Sequence, residues 1–87
     1  MELVAIHPNA LKHGLTEGDV RHAWHNAVEW VRRDRDDGLI DYVFIGPDTK
    51  GRLSELIARF SVTAGGYIIF HAFTPPAKKI MRELGIR

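Results

Sequence analysis

The sequence contains no cysteine. Disulfides, zinc–thiolate sites and thiol nucleophiles are therefore excluded, and a reducing cytoplasm is the compartment that fits. No apolar run approaches the length that crosses a bilayer, and Met1-Glu2 opens no signal peptide, so a membrane or secreted role is not expected. Charge of one sign is also scarce: 12 Lys and Arg stand against 11 Asp and Glu, a formal net charge of +1. A protein that holds long nucleic acid mainly by neutralising phosphates is usually far more basic, so any nucleic-acid contact here is expected to be local. A phosphate-cradling glycine loop is missing too, because "TAGGY" has neither the spacing nor the lysine of one.

What remains is ordinary for a folded chain. Eighty-seven residues, 45% hydrophobic and 26% charged, predict a single domain over 1–87 with one modest core. The charges are uneven: "WVRRDRDDG" alternates in sign, whereas the closing "PPAKKIMRELGIR" sets Lys78, Lys79, Arg82 and Arg87 against Glu83 alone.

Local signals give an outline of the elements. "ELVAI" reads as a first strand or an extended lead-in. Pro8 suits a first helical turn, and Asn9 to His13 make a short helix that Gly14 ends. Thr16 with Asp19 three residues on resembles a capping box, and Val20, Ala23, Trp24 and Ala27 recur at helical spacing, predicting a helix from Thr16 to about Ala27. From Val28 to Arg33 continued helix and a short edge strand both fit. "LIDYVFI", "RLSELIARFSV" and "GYIIFHAF" are three strands separated by "GPDTKG" and "TAGG". Thr74 is a natural N-cap for a last helix that Gly85 ends. The expected fold is α+β: a small antiparallel sheet of three to four strands, two N-terminal helices and a C-terminal helix.

Strand register decides which residues meet. A three-residue loop Ala64–Gly66 would set Phe60 against Phe70, Ala58 against Ala72, Val62 against Ile68 and Arg59 directly opposite His71. One sheet face would then carry Asp41, Val43, Ile45, Leu53, Glu55, Ile57, Arg59, Tyr67, Ile69, His71 and Phe73, half apolar and half ionisable.

Cleaving RNA without a metal requires a base for the 2′-hydroxyl, an acid for the leaving oxygen, and cations for the phosphorane. Glu55, Arg59 and His71 on one face have those properties, with Lys78 and Lys79 nearby. The same residues also read as cross-strand ion pairs beside a half-buried histidine. Lys12 and His13 close the first helix, where cations oppose the helix dipole. His22 and His25 have metal-pair spacing without a third ligand, and Trp24 and Trp30 read as core or interface aromatics. No metal or other cofactor is expected.

The run "HPNALKHGLTEGDVRHAW", followed by "YVFIGPDTKGRLSEL" and "IIFHAFTPPAKKIMREL", resembles small bacterial toxins of the BrnT type within the RelE-like group, in order and over nearly the whole chain. The resemblance implies an endoribonuclease that stops translation and is neutralised by a cognate antitoxin protein in a hetero-oligomeric complex. Combined with the residue reading, it gives His71, Arg59, Glu55 and His13 as candidate catalytic groups. Lys12, Lys78, Lys79, Arg52 and Arg82 are the candidate RNA contacts, and Val43, Ile57, Ile69 and Phe73 the apolar residues an antitoxin would cover. The second expectation is a binding module of the same fold that holds a protein or DNA partner without catalysis.

Overall fold

Thr16 fixes the start of the first α-helix. In the computed structural model, which describes residues 2–85 and so leaves Arg87 outside the described residues, its hydroxyl accepts the Asp19 N–H at 3.1 Å while Asp19 accepts the Thr16 N–H at 3.1 Å. That reciprocal box opens α1 (Glu17–His25), whose Val20, Ala23 and Trp24 are buried. Asp19 is itself buried and also takes the hydroxyl and the backbone N–H of Thr49, tying the helix to the turn between two strands. Those two donors and the Thr16 N–H outweigh burial and hold the Asp19 carboxyl far below the usual carboxylate range.

Beyond α1 the chain turns into a strand rather than continuing as helix. The strands are β1 (Leu3–Ile6), β2 (Glu29–Asp34), β3 (Ile40–Pro47), β4 (Leu53–Ser61) and β5 (Gly66–Phe73), in the sheet order β1-β5-β4-β3-β2. β1 runs parallel to β5 and every other pair is antiparallel. The sheet is therefore mixed and five-stranded, larger than the antiparallel sheet expected, because both the lead-in and the 28–33 segment join it. The first predicted helix shrinks to a 3-10 turn at Pro8–Leu11. No helix among the described residues is long and apolar enough to cross a membrane.

Two cores lie on opposite faces of the sheet. α1 and the 3-10 turn cover the first, where Trp24, Phe44, Leu56, Ala58, Ile69 and Ala72 pack together. The last helix, α2 (Lys78–Glu83), covers the second, with Ile80 against Val43 and Ile45. An Arg33–Glu83 fork, at 2.7 and 3.1 Å, pins α2 to β2.

Asp48 organises the β3–β4 turn. It is buried, accepting the N–H groups of Lys50 and Arg52 and the Arg52 Nε–H at 2.7–2.9 Å. Burial pushes its carboxyl upward, but those donors together bring it below the ordinary value. Asp19 and Asp48 thus both bind protons less readily folded than unfolded. Their contribution to stability is complete above the unfolded carboxylate pKa of about 4 and is lost as pH falls below it. The urea midpoint is expected to hold from neutrality to about pH 5 and drop below about pH 4, less steeply in Asp19→Asn. Thr16→Ala is expected to cost about 1 kcal/mol in the same unfolding measurement.

The β4–β5 register differs from the sequence expectation. Ser61 faces Gly66, Phe60 faces Tyr67, Arg59 faces Ile68 and Ala58 faces Ile69; after a bulge, Ile57 faces His71 and Leu56 faces Ala72. Two causes act together. Gly66 is no loop residue: a Cβ there would lie 2.6 Å from Val4 Cγ1 and 2.7 Å from the Glu2 carbonyl, so it serves the approach of β1. The loop is Val62–Gly65, with Gly65 at φ +74°. The bulge then adds Phe70 to β5, so alternation breaks and Phe70 and His71 emerge on the same face.

Candidate functional site

Glu55 joins three elements at the end of the α2 face. It is buried on β4, its Oε2 lies 2.8 Å from His71 Nε2, and its Oε1 accepts the Ala77 N–H at 2.6 Å. The last helix starts here and not at Thr74. The expected N-cap hydroxyl donates instead to the Leu53 carbonyl at 2.7 Å, and Ala77, the residue that caps α2, has no side-chain acceptor of its own. A carboxylate from the neighbouring strand meets the orphan amide.

His71 has a second neighbour. The chain after the 3-10 turn brings the His13 ring to 5.8 Å from the His71 ring, at 62°, and to 5.0 Å from Phe73, edge to face. Two imidazoles, one braced by a buried carboxylate, stand together at an exposed surface. With Glu55 ionised, the His71 Nε2 carries the proton and donates to Oε2, which leaves Nδ1 with the free lone pair. Lys12 is adjacent in sequence to His13, and Lys78 and Lys79 follow Ala77; all three are exposed and none forms an ion pair among the described residues.

Arg59 is not part of this cluster. It faces Ile68, two residues along β4 from the partner of His71, so about 7 Å of strand intervenes. Its Nε–H donates to Asp41 Oδ1 at 2.9 Å, and its guanidinium carbon lies 4.4 Å from the Phe70 ring centroid. Asp41 also lies 3.6 Å from Arg35. The sequence held the signal for this pair, since one step beyond the Tyr42–Ala58 match puts Asp41 opposite Arg59.

The other sequence candidates are spread through the fold. Arg52 is engaged by Asp48 in the β3–β4 turn, and Arg82 is exposed in the last turn of α2. Val43 is fully buried under α2, and Ile69 is fully buried on the opposite face, moved there by the bulge; neither is available to a partner. Ile57 is half-buried against α2, leaving Phe73, 38% exposed, as the apolar residue open beside the histidines. His22 Nδ1 lies 2.8 Å from the Pro47 carbonyl, and His25 lines a cleft with Trp24, Ala27, Trp30 and Phe44 on the α1 face.

No family model matches the chain, and no curated protein or solved structure is similar enough to place it.

Proposed function

We propose that this protein is an endoribonuclease that cleaves by acid–base chemistry without a metal, the toxin of a bacterial toxin–antitoxin pair acting in the cytoplasm. The observation that carries the reading is the His13–His71 pair, two imidazoles 5.8 Å apart with Glu55 behind one of them. A phosphodiester laid across the open edge of this ring pair has a base at one imidazole and an acid at the other. His71 Nδ1 takes the 2′-hydroxyl proton as the 2′-oxygen attacks phosphorus, and Glu55 stabilises the imidazolium that forms. The bond from phosphorus to the 5′-oxygen breaks, and protonated His13 gives that oxygen its proton. The products are a 2′,3′-cyclic phosphate and a 5′-hydroxyl. Lys12, Lys78 and Lys79 supply positive charge to the phosphorane. The toxin role is what the resemblance to BrnT-type toxins implies, and in that reading a neutralising antitoxin would cover Phe73 and the two histidines.

Expression of the chain alone in bacteria tests the reading. Growth arrest is expected, with RNA fragments ending in 2′,3′-cyclic phosphate, both abolished by His71→Ala. Normal growth with intact RNA would leave a binding module and overturn it.

A further inference from the structure

One residue from His71 along β5, Phe70 lines a cleft of about 340 Å³ together with His7, Asn9, Arg59 and Ile68. That volume is within the range of small-ligand sites, about 300–1,000 Å³. Its lining is chemically one-sided: a guanidinium, an imidazole, an amide and two apolar side chains, with no carboxylate among them. We propose that this cleft binds one nucleotide of the RNA, its phosphate on Arg59, His7 and Asn9 and its base against Phe70 and Ile68.

Arg59 and His7 are already oriented. Asp41 holds the Nε–H of Arg59, and neither Nη group of Arg59 has an acceptor among the described residues. A fork fixed at its base and open at its tip is suited to two phosphate oxygens. His7 Nδ1 accepts the Asn9 N–H at 3.0 Å, so in the neutral ring the proton sits on Nε2, which is a donor. Arg59 lies over the Phe70 ring at 4.4 Å, and stacked guanidinium and phenyl groups are a surface on which bases stack. The β5 bulge links this cleft to the chemistry, because it makes Phe70 and His71 consecutive residues on one face. A nucleotide in the cleft is thereby next to the phosphodiester at His71. The assignment rests on the ribonuclease reading for the identity of the polymer, while occupancy of the cleft is measurable without cleavage.

The test titrates the protein with adenosine 5′-monophosphate, inorganic phosphate and adenosine in separate NMR experiments. Saturable shifts are expected at the His7, Asn9 and Phe70 amides and the Arg59 Nε–H, with the nucleotide at least about tenfold tighter than phosphate or adenosine. Asn9→Ala and Phe70→Leu are each expected to weaken it several-fold. Arg59→Lys, which keeps a cation beside Asp41, is expected to do the same where Arg59→Ala fails to fold. Absent shifts, shifts centred elsewhere, or phosphate binding as tightly as the nucleotide would overturn the assignment. The nucleotide has no internucleotide bond, so the two readings fail separately. Binding without RNA cleavage would sink the nuclease and keep the site. Cleavage whose KM is unmoved by Asn9→Ala and Phe70→Leu would sink the site and keep the nuclease.

Discussion

Gly46→Ala is expected to lose most of the stability of the fold. Gly46 lies near the C-terminal end of β3, an interior strand of the sheet, and its φ is not positive, so the requirement for glycine is spatial. A Cβ built there collides with the Ala23 carbonyl oxygen and lies 3.1 Å from the Ala27 Cα. Both obstacles are backbone of α1 and the residues just after it, which no side-chain rotamer change relieves. Overpacking that side chains can absorb costs about 1–3 kcal/mol. Here α1 must lift from β3, pulling Trp24 off Phe44, whose ring centroids are 4.5 Å apart. The expected loss is about 3 kcal/mol or more, a large part of the net stability of a domain this size. Equilibrium urea unfolding checks it. Gly51→Ala is the informative control, since a Cβ there meets nothing within 4 Å and only the positive φ of 77° is strained. Its cost is expected to be about 1 kcal/mol.

The same glycine shows what a sequence conveys and what it conceals. "FIGPDTKG" announces a strand that ends in a turn, and alternation along β3 and β4 correctly separates Tyr42 and Phe44 from Val43 and Ile45. The Thr16–Asp19 box and the apolar stripe of α1 are equally local and equally readable. A glycine required by a distant carbonyl is not, because nothing near Gly46 encodes Ala23. Gly65 and Gly66 make the point more sharply. Adjacent and identical in sequence, one makes a left-handed turn and the other admits β1, and treating both as loop shifts the register of β5. The bulge at Phe70 arises for a related reason: Ile69 and Ala72 both enter the α1 core, a demand set by packing and invisible to a strict period of two. At the site, Glu55 and His71 were placed on one face by alternation, whereas the meeting of His13 with His71 depends on how the chain after Leu11 turns back along β5. The helix start at Ala77 was hidden because its capping oxygen comes from 22 residues earlier.

On the proposed mechanism, His71→Ala and His13→Ala are each expected to lower single-turnover RNA cleavage by about 10²–10⁴-fold, the range for loss of a positioned acid or base. The double variant is expected to be little worse than either single one, since groups that act in one proton relay do not contribute additively. Glu55→Gln is the more discriminating substitution. The glutamine carbonyl can still accept the Ala77 N–H, so the start of α2 survives, but its amide can only donate toward His71 Nε2. The His71 proton then moves to Nδ1, the nitrogen that the proposed mechanism uses to accept from the 2′-hydroxyl, and the compensating negative charge is gone. A rate loss of about 10²-fold or more is expected, with the unfolding midpoint little changed. A purely structural Glu55 would give the opposite pattern: an unfolding midpoint that falls and a rate per folded molecule that does not.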